Sequence, residues 1–280
     1  MVGSEIQDLE TSGGSGPRWF DNHCHLTSIA ALGAKSGADA PLDAVDVVAA
    51  AASVGVDYLL TVGCTVPDSV AAAEVASQFG NVWSTAGVHP HDAEGGTAGL
   101  AELMTGETVR AVGECGLDYY YDNSPRDAQR SVFVEHIELA HEHHLPLVIH
   151  SRDAWDDTFE ILAAEGTPER LVFHCFTGGP KELERGLEIG AMFSFSGILT
   201  YPSAKDLQAA AKLAPLERVM VETDSPYLAP VPVRGKATSN RPANVRYVGE
   251  FLANLTGRSV EDVAEATTAN ALSFYDIKRS

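Results

Sequence analysis

Phe20-Asp21-Asn22-His23-Cys24-His25 follows a Gly/Ser-rich beginning and reads as the first buried strand of the chain. Side chains on a strand alternate between its faces, so His23 and His25 share one face and Cys24 takes the other. Two imidazoles spaced in this way can grip one metal ion. By the same alternation Asp21 falls on that face one layer deeper, where its carboxylate could orient a histidine.

Moving outward from this stretch, the same kind of strand end recurs. Val109-Arg110-Ala111-Val112-Gly113 leads to Glu114, and Leu145-Pro146-Leu147-Val148-Ile149 leads to His150. Arg170-Leu171-Val172-Phe173 leads to His174, and Arg218-Val219-Met220-Val221-Glu222-Thr223 leads to Asp224. Strand-like runs near 19–25, 57–64, 82–88, 109–115, 146–150, 171–175, 191–196 and 218–223 alternate with helix-like stretches such as 44–53, 68–79, 129–144 and 204–213. Further helical stretches fall near 242–254 and 259–275, the last opened by a Ser259/Asp262 capping pattern. This alternation predicts parallel βαβ units, and eight of them predict an α/β fold of the (β/α)8 TIM-barrel type. An open doubly wound sheet would place a Gly-rich phosphate loop after the first strand, and none is present. Only a closed barrel sets the eighth strand beside the first, so that His23, His25, Glu114, His150, His174 and Asp224 converge.

A chain of 280 residues with 45% hydrophobic residues can bury a large core. Residues 1–17 are polar and Gly/Ser-rich and read as a disordered tail; 18–280 read as a single barrel hydrolase domain. Lys and Arg number 19 against 39 Asp and Glu, a net charge of −20 that argues against a long basic nucleic-acid platform. Metal ions in a pocket can still reverse the local field. No run is long and apolar enough to span a bilayer, and the start lacks the pattern of a signal peptide, so the reading is cytoplasmic, with no membrane and no obligate protein partner. Cys24, Cys64, Cys115 and Cys175 lack zinc-ribbon spacing and read as buried reduced thiols.

Imidazoles and carboxylates together suit a divalent metal, and six such ligands exceed the three that one open catalytic zinc requires. The predicted cofactors are therefore two divalent ions, drawn from zinc, manganese or magnesium. His23, His25 and Asp224 would hold one, His150 and His174 the other, and Glu114 would bridge them from a solvent-facing strand end. Two ions about 3.5–4 Å apart can activate a water and stabilise the attacking and leaving oxygens of a phosphodiester.

The motifs Asp21-Asn22-His23-Cys24-His25-Leu26, Gly87-Val88-His89-Pro90-His91, Gly113-Glu114-Cys115-Gly116-Leu117-Asp118-Tyr119, His150-Ser151-Arg152, His174-Cys175-Phe176-Thr177-Gly178 and Glu222-Thr223-Asp224-Ser225-Pro226-Tyr227-Leu228, in this order, resemble the TatD family of metal-dependent deoxyribonucleases within the amidohydrolase-like barrels. The resemblance covers roughly residues 18–275. It implies metals on the six residues named above, with Glu114 and Asp224 as catalytic carboxylates. It also implies exonucleolytic attack on single-stranded or frayed DNA ends, DNA being a transient partner. Deacylation of D-aminoacyl-tRNA, or another small-molecule hydrolysis on the same metals, is the alternative that the resemblance also admits. The family's Asn-Glu-Pro is here Asn240-Arg241-Pro242, after Arg234-Gly235-Lys236, and the acidic residue often found after Leu26 is here Thr27.

Around this set, His89 reads as a substrate or supporting contact, and Arg152 as a planar fork for a substrate phosphate or a salt bridge to Asp118 or Asp153. Tyr119, with Tyr120 and Tyr121, could stack on a nucleobase. His141, His143 and His144 end a helix at the opposite barrel face, where positive charge at a helix C-terminus is explanation enough.

Overall fold

A computed structural model of the chain describes residues 16–29, 43–235 and 239–279. The expected tail at 1–17, save its last two residues, and Lys236 lie outside them. Strands β1 (Trp19–Cys24), β2 (Val56–Thr61), β3 (Val82–Ala86), β4 (Val109–Asp118), β5 (Leu147–Arg152), β6 (Leu171–Phe173), β7 (Met192–Phe195) and β8 (Val219–Val221) pair in parallel in sequence order. Closure runs from β1 to the turn after β8. Asn22 Nδ2 donates to the Val221 carbonyl (2.7 Å), the Asp224 amide to the His23 carbonyl (2.9 Å), and the His25 amide to the Ser225 carbonyl (2.8 Å). The predicted TIM barrel is the observed fold.

Helices α1 (Ala44–Ala52), α2 (Val66–Ala76), α3 (Arg126–His143), α4 (Trp155–Glu165), α5 (Pro180–Glu188), α6 (Lys205–Leu213), α7 (Val245–Thr256) and α8 (Val260–Phe274) surround the strands. Local sequence starts several of them: Asp43, Thr65 and Ser259 side chains accept backbone N–H groups at the first turns of α1, α2 and α8. The floor of the barrel is filled from every strand, by Phe20, Leu60, Trp83, Ala111, Val148, Val172, Met192 and Met220, and Tyr275 and Ile277 close it from beneath. Each large side chain so buried contributes about 1.5–3 kcal/mol. A second, larger apolar layer lies between the strands and the helices. The interior above the floor is left for polar groups.

Two departures from regular strand geometry place those groups. The pairing of β1 with β2 shifts between Asp21 and Cys24. Phe20 and Asn22 face the interior, Asn22 bonding Ser194 and Tyr275, and the shift brings His23 inward as well. β4 runs on to Asp118, three residues beyond the predicted end, pairing Gly116 with His150 and Asp118 with Arg152. Gly116 permits this: its φ is +126° and a Cβ there would lie 2.1 Å from the His150 carbonyl oxygen.

His136 on α3 anchors the end of β3. Its Nε2 accepts the Val88 amide (2.9 Å) and its Nδ1 donates to the Val132 carbonyl (2.6 Å). Burial pushes its pKa down to about 4, so the folded protein holds the ring neutral and the unfolded chain binds its proton first. That contribution to stability is complete above the ordinary histidine value, and about 3 kcal/mol of it is lost as pH falls through 6.5 toward 4. Denaturant unfolding in chelator should show a shallower loss over this window for His136→Gln, whose amide can accept and donate at the same two places. Equal slopes in variant and parent would remove His136 from the acid response.

Candidate metal centre

The six strand-end residues meet in one cluster at the carboxyl end of the barrel. Glu114 is its centre. Its Oε2 lies 3.2 Å from His23 Nε2, and its Oε1 lies 2.7 Å from His174 Nε2, 3.1 Å from His150 Nδ1 and 3.3 Å from His89 Nε2. Asp224 Oδ1 stands 3.1 Å from His25 Nε2 and 3.8 Å from His23 Nε2. Donor atoms of His23, His25 and Asp224, and of His23, Glu114 and His174, are close enough to share an ion. Glu114 is buried, not solvent-facing as its strand-end position suggested; the extended β4 and the surrounding rings cover it.

The donor set fits divalent cations. His23 is fully buried; its Nε2 lies 3.2 Å from Glu114 Oε2 without the alignment of a hydrogen bond, a costly arrangement that a cation between the two would relieve. Two other rings are fixed in the tautomer a ligand needs. His150 Nε2 meets Asp118 Oδ2 at 3.1 Å, which leaves Nδ1 toward Glu114; His174 Nδ1 meets Glu222 Oε1 at 3.3 Å, which leaves Nε2 toward Glu114. The second acceptor of Glu222 Oε1 is satisfied by the Cys175 amide (2.8 Å).

The charges of the cluster are mutually held. Burial opposes ionisation of Glu114, but the His174, His89 and His150 rings outweigh it and hold the carboxyl well below its usual range. Asp224 behaves alike, with His25 and His23 overcoming burial. Burial opposes charge on His174 and His150 too; Glu114 and Glu222 push His174 well up, and Asp118 and Glu114 raise His150. His23 lies low, through burial and the His174 ring stacked on it at 3.9 Å.

His89 holds a different role from the six. Its Nδ1 accepts the His91 amide (3.1 Å), so in the neutral ring Nε2 carries the proton and donates to Glu114. Burial lowers its pKa and keeps it in that form. Asp21 reaches Thr223, accepting its amide (2.8 Å) and hydroxyl (2.6 Å), and no imidazole ring; the register shift in β1 takes it out of phase with the histidines. Tyr119 is engaged elsewhere, its hydroxyl donating to Asp157 (2.7 Å) and its ring lying under Arg126 (4.1 Å). Tyr120 and Tyr121 instead flank Arg152, whose guanidinium carbon lies 4.0 and 4.7 Å from their ring centres. Arg152 makes no ion pair among the described residues, neither to Asp118 nor to Asp153.

Sequence reasoning gave no role to Asp118 as the partner of His150, nor to Cys64, whose Sγ lies 3.6 Å from His25 Nδ1. The Gly-Leu-Asp after Glu114 carries the first signal, once β4 is allowed to run through Gly116. Cys64 and Cys175 are only half-buried, unlike Cys24 and Cys115, because both lie beside the cluster, off the core. Asn240 clamps the Asp224 turn, donating to the Thr223 (2.9 Å) and Tyr227 (2.7 Å) carbonyls, so the Arg241 departure beside it leaves this support in place. Thr27 donates to Asp68 (2.9 Å). His141 bonds the Gly166 carbonyl at the far end of α3, away from the cluster.

A closed parallel barrel with a carboxylate–imidazole cluster at its carboxyl end defines a metal-dependent hydrolase. A family model described as TatD related DNase matches residues 20–276, and the chain belongs to that family. It is 39% identical over 267 residues to the uncharacterized metal-dependent hydrolase YcfH of Escherichia coli K12, covering 93% of this chain and 96% of that protein. It is 34% identical over 245 residues to the 3'-5' ssDNA/RNA exonuclease TatD of Shigella flexneri, covering 84% and 94%. The crystal structure of YJJV, a TatD homolog from Escherichia coli, superposes with a TM-score of 0.81 at 25% identity, covering 93% and 99%. Among the described residues no helix is long and apolar enough to cross a membrane.

Arg152→Lys should raise KM for a phosphodiester substrate about tenfold with a smaller change in kcat, since the charge stays and the planar fork is lost. An unchanged KM would assign Arg152 to packing against the two tyrosines.

Proposed function

We propose that the chain is a two-metal phosphodiesterase that removes nucleotides from single-stranded or frayed DNA ends. The observation that carries this reading is the division of Glu114: one oxygen faces His23, the other faces His150 and His174. A carboxylate so divided suits a bridge between one ion on His23, His25 and Asp224 and a second on His150 and His174. Zinc, manganese and magnesium are the candidates, the imidazole-rich donor set favouring the first two. Bound there, such ions would supply Lewis acidity toward the phosphoryl oxygens and activate a water. Asp224, ionised and at the rim of the cluster, would take the proton of the attacking water. His89 would hold Glu114 by its Nε2–H. Asp118 and Glu222 would keep His150 and His174 in register through the reaction. The ssDNA/RNA exonuclease name of the Shigella flexneri relative supports single-stranded nucleic-acid ends over other esters.

The test is a side-by-side assay of metal-supplemented enzyme on end-labelled single-stranded DNA and on D-aminoacyl-tRNA, with metal content measured. Stepwise shortening of the DNA is expected. Deacylation without shortening would transfer the site to carbonyl chemistry.

A further inference from the structure

Three aromatic side chains are strongly exposed among the described residues: Tyr120 (58%), Tyr121 (54%) and Tyr227 (53%). Tyr227 stands against the candidate ligand His25, and Tyr120 and Tyr121 lie one contact further out, where His91 and Asp118 lead to His150. The Tyr227 ring stands 6.0 Å from that of His25, edge to face, on the side where β8 meets β1. The Tyr121 ring stands 5.4 Å from that of His91, whose Nε2 lies 3.0 Å from Asp118. Tyr120 packs perpendicular to Tyr121, 4.8 Å away. This pair sits past β4, next to β5, and so lies halfway round the barrel from Tyr227.

The backbone that carries the rings on the β4 side is pinned. Asp118 Oδ1 accepts the amides of both Tyr120 (3.0 Å) and Tyr121 (2.9 Å), while its Oδ2 meets His150. Arg152 covers one face of each ring. Its side chain makes no hydrogen bond or ion pair among the described residues. On the β8 side, Asn240 fixes the Tyr227 carbonyl. An exposed tyrosine ring offers a flat apolar face with a polar rim, and three of them beside one site suit stacking against a ligand.

The charge of the chain narrows the chemistry of that ligand. A body of −20 repels a phosphodiester chain, so phosphate contacts alone give a weak grip outside the metals. Every nucleobase has a π-face, and stacking on an aromatic ring contributes about 1–3 kcal/mol per base without reading sequence. Bases are available for this only in an unpaired strand.

We propose that the barrel mouth is a two-sided stacking clamp for an unpaired nucleic-acid end, with one base on Tyr227 and another on the Tyr120–Tyr121 pair, the scissile phosphate lying between them over the metal centre. This deepens the phosphodiesterase reading and rests on it for the identity of the bond cut. The free donors of Arg152 face the backbone next to the second base. Paired ends enter only after fraying, because the stacking faces require separated bases.

The experiment compares a fluorescent thymidine octamer with an abasic octamer of equal phosphate number, on metal-loaded enzyme. Binding is read from the initial anisotropy, and cleavage is followed in parallel on a gel. The thymidine strand should bind about 10–100-fold more tightly than the abasic one. Tyr227→Ala, and Tyr120→Ala with Tyr121→Ala, should each shrink that ratio about tenfold, whereas the corresponding Phe variants should keep it. The Phe variants separate loss of the ring from damage to the fold. A ratio near one in the parent, or a ratio unmoved by the Ala variants, overturns the clamp. Cleavage of both strands with a ratio near one overturns the clamp and leaves the phosphodiesterase reading standing. Base-dependent binding with neither strand cut supports the clamp and overturns the phosphodiesterase.

Discussion

Turnover of Glu114→Ala is expected to fall by about 10³-fold or more, with the barrel still folded. Among the described residues Glu114 is the one side chain whose two oxygens face both halves of the cluster, so its removal takes a shared ligand from two sites at once. The imidazoles of His150 and His174 would keep Asp118 and Glu222 as partners, and the register of β4 would still be set by Gly116 against His150. Because Glu114 is buried, the substitution also leaves a small polar void; Glu114→Gln keeps the volume and removes only the charge. Both variants should lose activity alike, and both should bind less metal than the parent. Near-normal turnover of Glu114→Ala at saturating metal would refute the bridged arrangement. Loss of activity in Glu114→Ala with full activity in Glu114→Gln would show that volume, not the carboxylate, is what the site requires.

The barrel and the six converging residues were legible because strand ends carry strong local signals. Short apolar runs rich in Val, Ile or Leu lead to a polar residue in the same way at Glu114, His150 and His174, and closure follows from the need to bring Asp224 to His23. The roles around the cluster were less legible, since each depends on a partner distant in sequence or on a local irregularity. Strict alternation puts Asp21 beside the histidines, but the shift in β1 sends it to Thr223. Three adjacent tyrosines look equivalent in sequence. The turn after β4 gives Tyr119 to Asp157 and leaves Tyr120 and Tyr121 beside Arg152. The sequence pattern ends the strand at 115, so Asp118 falls beyond it, whereas the strand passes through Gly116 and delivers Asp118 to His150. For His89, the tautomer is set by one backbone amide two residues ahead, a contact that a helical turn starting at Pro90 creates.

Chelation is expected to abolish activity, divalent metal to restore it, and the difference in stability between the two forms to widen as pH rises. In the metal-free protein the neighbouring carboxylates outweigh burial and raise the His174 and His150 pKa values above the ordinary 6.5. A raised imidazole pKa stabilises the fold fully below its unfolded value, and that stabilisation is lost as pH rises through the folded value. The chelated protein should therefore lose this contribution on the alkaline side of 6.5. Metal binding runs the other way. The ligand imidazoles must be neutral to bind, so protons compete with the cation and affinity climbs over the same window. A ligand that binds only the folded state stabilises it more as its affinity grows, so the loaded protein should gain where the chelated one loses. His23, whose pKa burial lowers, adds little proton competition until the acid range, so the competition belongs to the other rings. Thermal melts of both forms from pH about 6 to about 9 read the effect directly, as two curves that diverge with pH. Parallel curves would mean that His150 and His174 do not hold the metal, and full activity after exhaustive chelation and dialysis would remove metal from the chemistry altogether.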